Sequence, residues 1–411
     1  MKRLVVLGAG TAGTMVANTL RARLPDGEWA VTAVDRDDLH RYQPGYLFLP
    51  FGTYQPRQVT RSRRRYLRRG VELVLGEVAA ISPDAKRVEL TDGRRLAYDV
   101  LVLATGTSPR PDQTPGMEGP LWRHAIHDFY SYEGALALAE ALPSWPGGRL
   151  VVHVTDVPIK CPVAPLEFAF LADSWLRREG RRGAVDITFV TPLSGAFTRP
   201  TASQVLGSML DDRKIAVESD FMVERVDDEA KTLVSYDGRE VPFDLLVTVP
   251  LNMGADVIGA AGLGDELGYA RVDRHTLQSV VHPDVFAIGD AADVPTSKAG
   301  SVAHFEVDVL VQNVLAAIGG QPLTARFDGH ANCFVESGDG RALLLDFDYD
   351  AEPTTGRYPF PRWGPLPLLG ESRRNHWAKL GFRWLYWNVL LPGRPLPLPA
   401  RPVPLDHALT P

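Results

Sequence analysis

The sequence predicts an α/β fold: two tandem Rossmann-like, dinucleotide-type domains followed by a C-terminal membrane-associating segment. Three observations predict it. A glycine-rich turn joins a strand to a helix at the start of the chain, a hairpin-and-strand unit recurs at a fixed offset, and an aromatic, basic run stands near the end. Composition narrows the class. Of 411 residues 45% are apolar, enough to bury a core and exclude disorder. Two cysteines make no disulfide framework, and in the cytoplasm, where the N-terminus leads us to expect the protein, thiols stay free by default. A net charge of −6 speaks against a general nucleic-acid partner. Length predicts two or three domains, and no apolar run reaches the roughly 18–20 residues of a membrane-spanning helix.

Leu4-Val5-Val6-Leu7 is too short for a signal-peptide core and reads as a buried parallel strand. Gly8-Ala9-Gly10-Thr11-Ala12-Gly13 follows, then a helical pattern through Met15, Val16, Thr19 and Leu20. This is G-x-G-x-x-G in its strand–turn–helix setting, with the helix N-terminus open to phosphates. Gly8 permits the tight turn, Gly10 the approach of a pyrophosphate, and Gly13 the packing of helix on strand. A second strand, Trp29 to Val34, ends at Asp35, placed to accept a ribose hydroxyl.

The repeat follows. Asp92-Gly93-Arg94 precedes Tyr98-Asp99-Val100-Leu101-Val102, and Asp237-Gly238-Arg239 precedes Phe243-Asp244-Leu245-Leu246-Val247, an offset of 145. Two dinucleotide-type domains in tandem explain it, the second inserted in the first. The expected limits are 1–110 with 265–325 for one, 111–264 for the other, and 326–411 for a C-terminal part. The offset carries Gly8, Gly10 and Gly13 to His153, Thr155 and Pro158, so the second phosphate turn is erased.

In its place stands Pro158-Ile159-Lys160-Cys161-Pro162, then a helical run to about Arg178. The coming helix and Lys160 both favour a reactive thiolate at Cys161. Glu167, in the helix's first turn, is either an acid/base near that thiol or a carboxylate suited to the dipole. Cys333 lies on the first strand of a hairpin that turns at Asp339-Gly340. With no other thiols in the chain, a redox pair is the economical reading. Near the C-terminus Trp377, Leu380, Phe382, Trp384, Tyr386 and Trp387, with Arg374, Lys379 and Arg383, suit an interfacial foot; a helix packed on the core is the alternative. The arginines from Arg61 to Arg69 read as a solvated helix face, and the prolines from Pro392 to Pro404 as an extended tail.

Two strand ends carry a resemblance. Tyr98 to Gly106 closes on A-T-G and His282 to Asp290 on G-D, as in the flavin disulfide-reductase superfamily with its glutathione-reductase-like fold. That resemblance implies FAD, with Asp290 on the ribityl chain; an N-cap is the plainer role for Asp290. Asp35 to Gly52 with Tyr42-Gln43-Pro44-Gly45, Cys161 to Glu167-Phe168, Pro295 to Gly300, and Phe327 through Cys333 to Pro353 resemble the sulfide:quinone oxidoreductases over nearly the whole chain. The resemblance implies Cys161 and Cys333 as a catalytic pair and Glu167 as an acid/base. It implies a cofactor site of Gly8, Gly10, Ala12, Gly13, Asp35, Arg36, Thr105, Gly106, Gly289, Asp290 and Lys298. It also implies a quinone site at Phe334, Lys379 and Phe382. A third family cysteine is missing between Trp122 and Tyr132, where only His124 and His127 stand, so FAD is expected to be non-covalent. The expected partners are sulfide or a small sulfur species, a membrane quinone and the inner face of the cell membrane, with a homo-oligomer as the assembly. A type II NADH:quinone oxidoreductase, a secreted flavocytochrome sulfide dehydrogenase and a non-catalytic FAD subunit of a sulfur relay are the rival readings.

Overall fold

The computed structural model describes residues 1–394; of the proline tail expected from Pro392 to Pro404, all but the first three residues lie outside them. Two five-stranded parallel sheets frame the molecule. The first runs Val285–Ala287, Val100–Leu103, Lys2–Leu7, Trp29–Asp35, Val71–Leu75. Its central strands, Lys2–Leu7 and Val100–Leu103, are near-continuous apolar runs and are buried along most of their length. The second runs Ile126–His127, Leu245–Val249, Gly148–Val154, Val185–Val190, Ala216–Glu218. Each central strand feeds a helix, Thr11–Arg23 in the first unit and Ala164–Arg178 in the second.

The repeat is visible as structure. Three-stranded antiparallel sheets at Val78–Ser82, Arg87–Leu90, Arg95–Ala97 and at Val223–Asp227, Thr232–Ser235, Glu240–Pro242 precede the matching strands. The domain limits given above remain a proposal. The chain runs antiparallel to itself at Ser108–Pro109 and Asn252–Met253, where it passes between the two sheets.

The C-terminal part is a hairpin, Ala331–Gly338 with Arg341–Phe347, and a helix, Arg373–Leu385, that continues as a π-helical turn over Tyr386–Leu390. The aromatic run divides here. Tyr386, Trp387, Leu390 and Leu391 are buried in the core, while Trp363, Trp377 and Trp384 are exposed. Half of the expected foot is therefore a packed helix end, because the rings of Tyr386 and Trp387 pack at tilted angles against His40, Tyr42 and Tyr66. By length and composition the helix Gly300–Ile318 could cross a membrane, although the sequence suggested no such run; it lies along Thr11–Arg23 with one face in the core. The arginine run is not a helix face. It forms a strand and a short 3₁₀ turn, and Arg63 is buried.

Candidate functional site

The turn after the first strand is tight because of two glycines. A Cβ at Gly8, which has φ +95°, would stand 2.2 Å from the Ala104 carbonyl oxygen, and one at Gly13 1.8 Å from that of Gly8. Gly10 faces open space. Gly289, with φ +67°, packs against Ala12. The strand ends bearing Gly8, Asp35, Thr105, Gly106 and Asp290 thus gather at one edge of the first sheet, the edge where such folds bind ligands. Asp290 does not cap a helix: it lies in a short turn, Gly289–Ala291, and the next helix starts at Gly300. Burial raises its carboxyl, opposed by Lys298 and Lys160. The Lys298 ammonium bonds the Ala292 carbonyl at 2.8 Å. Arg36 is exposed beside Asp35.

Asp35 is already engaged. Its carboxylate accepts from the Ala9 N–H at 2.8 Å and pairs with Arg63 at 2.9 Å, while Arg63 also donates to the Ala9 carbonyl at 2.7 Å. Arg63 therefore ties the phosphate turn to the acid, a role its neighbours in a run of arginines concealed.

In the second unit the turn is replaced by a loop, residues 155–163, between Val154 and Ala164. His153, assigned to the turn by the offset alone, is still in the strand, because pairing of Leu150 with Leu245 shifts the register by one residue from that of Leu4 with Val100. The loop carries Cys161 in a left-handed conformation, φ +44°. Such a backbone costs on the order of 1 kcal/mol or more and needs fixing on both sides. The Cys161 N–H donates to the Lys298 carbonyl at 2.6 Å, and its own carbonyl accepts from the Tyr130 hydroxyl at 3.0 Å.

Helix Ala164–Arg178, the hairpin and the C-terminal helix bring the remaining groups together. Glu167 is 1% exposed and forms an ion pair with Lys379. Glu167 Oε1 also accepts from the Glu336 N–H at 2.6 Å, and Lys379 Nζ donates to the Phe334 carbonyl at 3.0 Å. Cys161 and Cys333 are free thiols, near enough that a charge on Cys333 acts on Cys161. Phe382 is half-buried against the core.

The electrostatics differ from the sequence expectation. The Cys161 thiol is pushed far up rather than down, first by burial and then by the Glu167 carboxylate. Cys333 is pushed up to about 12 by the same causes. Lys160 does not offset this: its ammonium bonds Gln43 and the Tyr130 carbonyl, both at 3.1 Å, and burial lowers its own pKa. The cation that favours the thiolates is Lys379, from 218 residues further on. Burial raises the Glu167 carboxyl, with Lys379 opposing. Burial disfavours the Lys379 ammonium, but Glu167 and Glu336 together hold its pKa above the ordinary value. His127 is buried, with its ring nitrogen 3.0 Å from the His124 carbonyl, so a polar surface does not account for it.

Known proteins place the chain. The family model described as pyridine nucleotide-disulphide oxidoreductase matches residues 2–152. The chain is 25% identical to the mitochondrial sulfide:quinone oxidoreductase of Mus musculus, over 95% of this chain and 86% of that one. It is 23% identical to the sulfide-quinone reductase of Aquifex aeolicus, over 94% and 91%. The crystal structure of the Aquifex aeolicus sulfide:quinone oxidoreductase superposes with a TM-score of 0.78 at 19% identity, covering 99% of this chain and 94% of that one. Whole-length likeness in sequence, together with this shared fold, makes the chain a flavoprotein oxidoreductase similar to the sulfide:quinone oxidoreductases.

Proposed function

We propose that the chain oxidises sulfide, or a related sulfane or thiol sulfur species, through a Cys161–Cys333 redox pair, and that the electrons pass by non-covalently bound FAD to a membrane quinone. One observation carries this reading: the chain's only two thiols share a single buried carboxylate–ammonium pair, Glu167 with Lys379. The first unit's edge suits FAD. Gly10 leaves room where a side chain would stand, and the Thr105 hydroxyl is buried without a protein partner. Gly8, Gly10, Ala12 and Gly13 would hold the pyrophosphate, Asp35 and Arg36 the adenosine side, and Thr105, Gly106, Gly289, Asp290 and Lys298 the remainder. Bound FAD would supply a two-electron acceptor between sulfur and quinone.

The protein's own share begins with a Cys161–Cys333 bridge. Hydrosulfide attacks one sulfur, a new S–S bond forms as the bridge breaks, and the other cysteine leaves as a thiolate. Lys379 stabilises that thiolate, and Glu167, its carboxyl held high, gives or takes the proton. A nucleophilic acceptor removes the outer sulfur, and closure of the two thiolates to a bridge releases two electrons. Phe334, Lys379 and Phe382 form the quinone side. Trp363, Trp377 and Trp384, all exposed, support peripheral seating at a membrane surface, which this reading assigns to the inner, cytoplasmic face.

Anaerobic titration tests the reading. Sulfide bleaches the flavin band of the parent and leaves Cys161→Ser oxidised. Equal bleaching of the variant sinks the redox pair. Bleaching by NADH in place of sulfide turns the reading to the NADH:quinone alternative.

A further inference from the structure

One buried carboxylate takes no part in that chemistry. Glu336 lies on the Cys333 strand, its side chain 1% exposed. Both of its oxygens face Nδ1 of His376, at 3.0 and 2.9 Å. His376 sits on the C-terminal helix with its side chain 18% exposed, against the exposed Trp377. It is three residues before Lys379, on the same helix face. The Glu336 N–H holds Glu167, and the Glu336 carboxylate is within charge range of Lys379. Glu167, Lys379, Glu336 and His376 therefore run as a line from the thiols to solvent. A buried carboxylate is costly to keep, and a hydrophobic residue would pack the same strand at no such cost.

We propose that Glu336 and His376 are a proton relay between solvent and the Lys379 ammonium, serving quinone reduction. The proposal rests on the sulfide:quinone reading. Oxidation of HS⁻ to sulfane sulfur yields two electrons and one proton, whereas reduction of a quinone to its quinol consumes two electrons and two protons. The sum, HS⁻ + Q + H⁺ → S⁰ + QH₂, draws one proton per turnover from outside. Solvent protonates His376 at Nε2, the Nδ1 proton passes to Glu336, and Glu336 restores the proton that Lys379 has given to the quinol oxygen. Glu167 of the facing helix and Tyr54 both lie within charge range of Glu336 and of Lys379. His376 and Glu336 touch neither sulfur nor flavin on this account; they are positioning residues for Lys379.

The test separates the two half-reactions in the full-length flavoprotein. The parent is first reduced with one equivalent of sulfide; if it does not bleach, the functional reading falls and the relay with it. The reduced protein is then mixed with a water-soluble quinone and flavin reoxidation is followed against pH. For His376→Asn the rate is expected to fall about a hundredfold, the low end for a positioned proton-transfer group. In the parent the rate is expected to fall as pH rises and in the variant to stay flat, and added imidazole is expected to restore the variant's rate. Reoxidation at the parental rate overturns the relay, and so does a slow rate that imidazole leaves unrestored. Should His376→Asn not retain flavin, Glu336→Gln is put through the same rate and pH measurements. Its slow, pH-flat reoxidation supports the relay, and a parental rate overturns it.

Discussion

The two Rossmann-like units share much of their frame to the level of single bonds and differ most at one turn. Both three-stranded sheets carry a bulge at the same place, at Val78/Ala80 and at Val223/Arg225. Lys86 and Lys231 are both left-handed, φ +48° and +52°. Asp99 accepts from the Arg3 N–H at 2.6 Å, and Asp244 from that of Arg149 at 2.8 Å. Yet residues 8–10 connect strand to helix in one unit and residues 155–163 in the other. The frame is thus independent of the turn. The sheet fixes where a ligand or thiol sits, and the connecting loop decides which it is.

The largest effect that can break this comparison is at Gly13. In Gly13→Ala the new Cβ meets backbone at 1.8 Å. Flavin content should drop to background, with a stability loss of about 3 kcal/mol or more from forced backbone shifts. Ile159→Val, in the replacement loop, should cost about 1 kcal/mol and keep full flavin. Retained flavin in Gly13→Ala would mean that the glycine turn is not what distinguishes the units.

An intermediate effect is acid sensitivity. His40, in the first unit, is lowered to about 3 by burial and then by Arg63; His153, in the second, is lowered to about 3 by burial. Below pH 6.5 the unfolded chain takes up protons that the folded one refuses. Stability is therefore intact above that pH and is lost as pH falls toward 3, by roughly 1 kcal/mol per pH unit for each histidine. Urea midpoints at pH 7 and pH 5 measure the loss, and His153→Gln should remove about half of it. An unchanged slope would show that the two sites are not equivalent.

The smallest effect sharpens the repeat. Replacing Lys231 by Gly relieves a left-handed side chain and should stabilise by a few tenths to about 1 kcal/mol. Lys86→Gly should gain less, because Lys86 also pairs with Asp284 at 2.7 Å, an exposed bridge worth under about 1 kcal/mol. Equal gains, read from denaturant midpoints, would show that this bridge contributes nothing.

What the sequence revealed follows from range. Gly8 to Gly13, the strand ending at Asp35, the helix ending at Arg178 and the Cys333 hairpin all rest on local periodicity and turn chemistry, and each formed where expected. The 145-residue offset was legible because duplicated hairpins keep duplicated turn residues. The state of Cys161 was not legible, because its burial, first among the causes, and its opposing cation, Lys379, depend on how distant elements dock. Arg63 hid among exposed arginines, and the Glu336–His376 pair joins residues with no shared motif. Tyr386 looked like one more aromatic of a foot; its hydroxyl meets His40 at 2.6 Å and Thr11 at 2.7 Å.

That last contact has a temporal consequence. The final helix touches the beginning of the chain through Tyr386 and Thr11, and it delivers Lys379 to Glu167. A growing polypeptide emerging from the ribosome has both cysteines long before it has their cation. Until the last helix docks, the thiols lack the charge that favours their ionisation. The carboxylate–ammonium pair beside the thiols is therefore completed only when the final helix is in place.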